Sequence, residues 1–211
     1  MNTAPSWTAL KPLFASAWQE AGAHTDGVAL CDALLAAYAE PHRHYHSTQH
    51  LAECLHGFEV VRHLAQRPAE VALALWFHDA VYDVQRHDNE AQSADWARQA
   101  LTTAGVQAEV AERVYELVMA TRHTSVPAAG DAQLLVDIDL SILGADAQRF
   151  AQYERQIRKE YAFVPEDLFR TKRKEVLLSF AKRSRIYGTD YFHAALEARA
   201  RANLARAVTS P

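Results

Sequence analysis

The sequence predicts an all-α protein, a bundle of about eight or nine helices. Three observations predict it. Apolar residues recur at helical spacing along most of the chain, strand-like alternation is scarce, and stop signals such as Pro41, Pro68, Gly105 and Gly144 separate the periodic stretches. A length of 211 residues fits one domain, residues 1–211, able to bury a full core. With 49% apolar and 23% charged residues the balance is that of an ordinary globular chain, not a disordered one.

Each element has a local reason. Ser6 is placed to cap a helix from about Trp7 to Ala21. A second runs from near Asp26 to before Pro41, with Gly27 a weak point in its first turn. Ser47 is placed to cap a third, from about Thr48 to Gln66, whose inward stripe is Cys54, Phe58, Val61 and Ala65. His50 lies one turn before Cys54 on that face. Pro68 suits the first turn of a fourth helix, to about Asp83. Its stretch VALALWF, Val71 to Phe77, is apolar all round and belongs in the centre of a bundle. A polar loop, Gln85 to Asp88, precedes a fifth helix from about Asn89 to Thr103, with Asp88 a good cap. A sixth runs from about Gln107 to Arg122, and TSVPAAG, residues 124–130, is a loop. LLVDIDLSILG, Leu134 to Gly144, reads as buried strand or buried helix by periodicity; its helical neighbours and the stop at Gly144 favour helix. Three more helices are expected at about 146–161, 166–183 and 190–207.

Several classes are excluded. Cys31 and Cys54 cannot form a disulfide framework and read as small apolar residues in a reducing cytosol. The N-terminus lacks a basic segment followed by an apolar run, and no stretch approaches the roughly 18 apolar residues of a membrane helix. The expectation is a cytoplasmic protein with no membrane partner. The net charge of −4 conceals an asymmetry. Residues 1–146 hold 8 Lys/Arg and 19 Asp/Glu, a balance of −11, and residues 147–211 hold 14 and 7, a balance of +7. The two parts can attract each other, or the basic part can receive an anionic substrate. There is no nucleic-acid motif, and the aromatic residues are scattered rather than interleaved with basic ones, so no specific nucleic-acid partner is expected. Oligomeric state is open, a homodimer included.

The chemistry-bearing residues cluster. Among 11 His, four lie within nine residues: His42, His44, His46 and His50. His-Asp occurs twice, and context separates the copies. His87-Asp88 sits in a polar loop, whereas His78-Asp79 ends the most apolar helix. A carboxylate there loses hydration at a cost of several kcal/mol unless something compensates, and a metal ion compensates well. Asp137 and Asp139 raise the same demand inside an apolar run.

The order His, His-Asp, Asp from three helices resembles the HD-domain metal-dependent phosphohydrolases, and more closely a bacterial branch of predicted metal-dependent HD phosphohydrolases. The segments carrying the resemblance are YHSTQHLAECL (Tyr45 to Leu55), WFHDAVYD (Trp76 to Asp83), DNEAQSA (Asp88 to Ala94), DIDLSILG (Asp137 to Gly144), IRKEY (Ile157 to Tyr161) and EARARANL (Glu197 to Leu204). The resemblance implies a single HD-type helical domain with a metal-site core at about 40–145 and a basic helical part at about 146–207. It implies His50, His78, Asp79 and Asp139 as metal ligands, with Asp137 the alternative to Asp139. It likewise implies His78 and Asp79 as the catalytic residues.

Mixed nitrogen and oxygen donors suit Mn, Fe, Co, Ni or Zn, with Mg compatible, as one or two ions. Such an ion lowers the pKa of its water towards 7 and stabilises charge on phosphorus, and Asp79 serves as ligand and proton acceptor. The expected activity is hydrolysis of a phosphomonoester or phosphodiester in a small phosphorylated substrate of the nucleotide kind. The alternative is a metal- or nucleotide-binding module without turnover.

Supporting positions have two readings each. His46 and His123 either face the cavity, for a second metal or a phosphate oxygen, or are hydrogen-bonded or exposed imidazoles. Tyr82, Asp83, Asn89 and Glu90 either orient ligands or form a self-capped loop. Arg158, Lys159 and Arg173 either neutralise substrate phosphate or make ion pairs. His42 and His44 read as exposed loop residues and Cys54 as core packing.

Overall fold

Helical periodicity is realised throughout: the computed structural model describes residues 10–123, 127 and 129–209, and these form ten α-helices and no strand. They are α1 (Lys11–Glu20), α2 (Val28–Tyr38), α3 (Thr48–Val61), α4 (Pro68–Phe77), α5 (Asn89–Thr103), α6 (Ala108–Ala120), α7 (Asp131–Asp139), α8 (Ala147–Glu160), α9 (Glu166–Ala181) and α10 (Asp190–Thr209). The count exceeds the eight or nine expected, and the ambiguous Leu134–Gly144 stretch is helical, the end of α7 followed by a 3-10 segment at Leu140–Gly144. Ser6, and residues 124–126 and 128 of the expected loop, lie outside the described residues. No helix among the described residues is long and apolar enough to cross a membrane. The chain divides into two compact units, Met1–Val136 and Asp137–Pro211, and the division falls inside α7.

In the first unit α4 is central and packs on α1, α3, α5 and α6. Every residue from Val71 to Phe77 is buried, so the all-round apolar stretch meets protein on all sides. Phe14 of α1 sets its ring edge-on to Trp76 at 5.2 Å. One carboxylate shares this interior: Glu70, buried, accepts both arms of the Arg113 guanidinium at 2.6 and 2.8 Å. Gly27 lies just outside α2, not within it. It holds a left-handed φ of 67°, and a Cβ there would meet the Trp18 indole at 2.8 Å. Two expected caps are at their stations but do not cap: Ser47 hydroxyl donates to the Tyr45 carbonyl, and Asp88 engages Arg86 and Gln92.

In the second unit α10 packs on α9 and on the 3-10 segment, which also meets α8. Asp146 caps α8 by accepting the Arg149 N–H at 2.8 Å. Gly144 does stop the 3-10 segment, but its reason is proximity: a Cβ would stand 2.7 Å from Leu196 Cβ of α10. The 186–187 turn is held by Glu197 of α10. Its carboxylate accepts the N–H groups of Ile186 and Tyr187 at 3.0 and 3.2 Å and pairs with Arg201 at 2.6 Å. Burial alone would raise the Glu197 pKa, but these donors outweigh it and hold the carboxyl below its ordinary value. A depressed folded pKa adds stability above the unfolded value, about 4.3, that is lost as pH falls through the folded one. Glu197→Gln is therefore expected to cost about 2 kcal/mol at pH 7 and to flatten the acid limb of stability against pH, read by urea titrations from pH 7 to 3. An unchanged acid limb would reject the role given to this carboxylate.

Candidate metal centre

The centre begins where α4 stops. The sequence expectation ran this helix to about Asp83, but it ends at Phe77, and His78 and Asp79 form the turn beyond it. His78 continues the helical backbone for one residue, with φ −54° and its N–H on the Ala74 carbonyl at 2.9 Å. Its ring then serves the helix end: Nδ1 lies 2.8 Å from the Leu75 carbonyl. A carbonyl only accepts, so Nδ1 carries the proton, and Nε2 of the neutral ring is left with its lone pair. The ending thus fixes the tautomer a metal ligand needs.

His50 comes from the first turn of α3 and, like His78, is buried. Its Nε2 lies 3.1 Å from His78 Nε2 and 3.5 Å from Asp79 Oδ2, and His78 Nε2 lies 3.1 Å from the same oxygen. Ligand bonds of about 2.1 Å put neighbouring donors about 3.0 Å apart at right angles and about 3.4 Å apart at tetrahedral angles. The three spacings have that size. The Asp79 side chain keeps 18% of its exposure, so the cluster reaches the surface on the carboxylate side. Burial would raise the Asp79 pKa, but the charge that His78, His46 and His50 carry when protonated, with the hydrogen bond from His78, outweighs it and holds the carboxyl well below the usual carboxylate range.

Cys54 joins this group more closely than core packing requires. His50, Cys54 and His78 offer donor atoms all within 4.8 Å of one another, a buried set that can hold a metal ion. The sulfur, however, lies 3.7 Å from both ring nitrogens of His50. Equal distances put it on the plane bisecting the two nitrogens, not beyond Nε2. An ion about 2.1 Å out along the Nε2 lone pair would stand about 4 Å from this sulfur, against about 2.3 Å for a metal–thiolate bond. Asp79 Oδ2, not Cys54 Sγ, accompanies the two Nε2 atoms in this arrangement.

Other expected residues gather around the same turn. The His46 ring stacks on Tyr82 at 4.2 Å, meets Tyr45 edge-on at 4.8 Å and lies 6.1 Å from His50. His42 is exposed, as expected, yet its Nε2 donates to the Tyr82 carbonyl at 2.9 Å; His44 is only half-buried. Asn89 clamps the backbone of Asp83, accepting its N–H at 3.1 Å and donating to its carbonyl at 2.9 Å. Asp83 itself is exposed, its carboxylate accepting the Gln85 N–H, and Glu90 is half-buried in the first turn of α5. Ser93, which sequence reasoning passed over, accepts the Val81 N–H at 3.0 Å. These contacts make the 81–89 loop a self-held support. His123 follows α6 with a left-handed φ of 53°, and the donor group found among the described residues does not include it.

The second unit distinguishes the two aspartates. Asp137 is fully buried, and its carboxylate accepts the N–H of Gly188 at 2.9 Å, the N–H of Thr189 at 2.7 Å and the Thr189 hydroxyl at 2.6 Å. It is committed to the turn that precedes α10. Asp139 ends α7 and is half-buried. Arg158 and Arg173 line a cleft of about 490 Å³ formed by α8, α9 and the end of α10. Both are engaged, Arg158 with Glu166 at 2.8 Å and the carbonyls of Tyr161 and Val164, Arg173 with Glu154 at 2.5 Å. Lys159 is exposed.

Besides Ser93, sequence reasoning missed Tyr38, Arg43 and Tyr45, all buried beside the turn. Of these, Tyr45 and Ser93 lie within the segments YHSTQHLAECL and DNEAQSA. Comparison of the chain with family models, with curated proteins and with solved structures finds no match in any of the three.

Proposed function

We propose that the chain is a metal-dependent phosphohydrolase of the HD type. It would cleave a phosphomonoester or phosphodiester in a small anionic substrate, with nucleotides the first class to test. The observation that carries the reading is the convergence of His50 Nε2 of α3 with His78 Nε2 and Asp79 Oδ2 of the turn after α4, at 3.1–3.5 Å. The sequence resemblance adds Asp139 as the proposed fourth ligand, and the commitment of Asp137 to Gly188 and Thr189 supports that choice.

When bound, a divalent ion supplies Lewis acidity and brings the pKa of water towards neutrality. The chain does the rest. His50 and His78 present neutral imidazole nitrogens, the second fixed by its Nδ1–H on Leu75. Asp79, ionised at neutral pH, is the acceptor for a water proton on the exposed side of the cluster. His46, stacked on Tyr82 and 6.1 Å from the His50 ring, is the proposed contact for a substrate oxygen.

The test is elemental analysis of the purified protein, then reloading with Mn, Co, Ni or Zn and assay on a nucleotide and sugar-phosphate panel. Phosphate release that chelation abolishes and metal restores is the expected result. Metal uptake with thermal protection by nucleotides but no phosphate release would replace the enzyme with a binding module. Failure to bind any of these metals would end the metal-centre reading.

A further inference from the structure

We infer that Arg43 and Tyr38 are positioning residues that set the proposed metal ligand Asp79 by gripping its backbone from both sides; the inference rests on the metal-centre reading above. Arg43 lies in the segment between α2 and α3 and is 6% exposed, rare for an arginine. Its fork is spent on backbone. Nη1 donates to the Asp79 carbonyl at 2.5 Å and to the His46 carbonyl at 3.3 Å, and Nη2 donates to the Ala80 carbonyl at 2.9 Å. Nε donates to Glu40 at 2.9 Å. The guanidinium lies over the Tyr38 and Tyr82 rings, 5.3 and 5.5 Å from their centroids. On the other side of the same residue, the Asp79 N–H donates to the fully buried Tyr38 hydroxyl at 3.2 Å.

Two physical demands meet here. The carbonyls of residues 79 and 80 lie beyond the helical ladder of α4 and at the negative end of its dipole. A buried cation with five donors answers both. A ligand also has to be held to a fraction of an ångström, and a short carboxylate is only as well placed as its backbone. Arg43 ties three carbonyls, from residues 46, 79 and 80, to one rigid plane, and so fixes the segment leading into α3 and His50 against the Asp79 turn. Lysine keeps the charge but has no planar fork to span them.

The experiment measures metal affinity by calorimetry with Mn or Co, and the visible spectrum of the Co-loaded protein, in wild type, Arg43→Met, Arg43→Lys and Tyr38→Phe. All are measured where circular dichroism shows them folded. Both Arg43 variants are expected to lose about 10–100-fold in affinity, the scale for losing an outer partner of a ligand, and Tyr38→Phe less than either. The Co spectrum should change with them. Since the fork and not the charge does the work, Arg43→Lys should not rescue. A folded Arg43→Met with wild-type affinity and spectrum overturns the inference, and so does full rescue by Arg43→Lys. Should the Arg43 variants not fold, Tyr38→Phe decides alone, and unchanged affinity overturns the inference. Wild type that binds neither metal sinks the metal-centre reading itself, a separate and recognisable result.

Discussion

Asp79→Ala is expected to lower phosphohydrolase activity by on the order of 10³-fold or more while leaving the protein folded. The carboxylate has two proposed duties, ligand and proton acceptor, and its removal loses both. The fold survives because Asp79 lies beyond the end of α4, with its side chain turned to the two imidazoles and part of it to solvent. Metal content should fall in the same variant. The measurement is kcat/KM on a confirmed substrate beside elemental analysis. Full activity in Asp79→Ala would exclude the proposed mechanism, whatever the metal content.

The second large effect separates two aspartates that are two residues apart. Asp137→Ala should destabilise the protein by about 3 kcal/mol, because the N–H groups of Gly188 and Thr189 and the Thr189 hydroxyl lose a charged acceptor. For a chain of this size that is a fall of about 6–12 °C in Tm. Asp139→Ala should stay within about 1 kcal/mol of wild type and lose metal instead. Thermal unfolding and metal content of the two variants give four numbers with a crossed pattern. The reverse pattern, with Asp137→Ala stable but metal-poor, would make Asp137 the ligand.

The helical class and most helix positions were legible because burial periodicity is a local property. The sequence expectation and the structure agree on Asn89–Thr103 to the residue, since a polar loop precedes it and Gly105 follows. VALALWF pointed to a central helix for the same reason. The end of α4 was not legible. Nothing in AVYD forbids more helix, and the stop comes with bonds from elsewhere: Arg43 to the carbonyls of residues 79 and 80, Tyr38 to an N–H, Ser93 to Val81. None of these partners is within ten residues of its target.

By itself the sequence determined that imidazoles and carboxylates would occur at the ends and inner faces of apolar helices, where burial requires them to find partners. It also distinguished His78-Asp79 from the identical dipeptide at residues 87–88, because hydropathy of the flanking residues is written locally. Only the tertiary structure decided which partners were found: His50 with His78 and Asp79, Asp137 with the turn before α10, Arg43 with the backbone of the proposed ligand. Burial is a property of a segment and leaves a period in the sequence. A hydrogen bond depends on two positions and an angle, and the chain order leaves no trace of it.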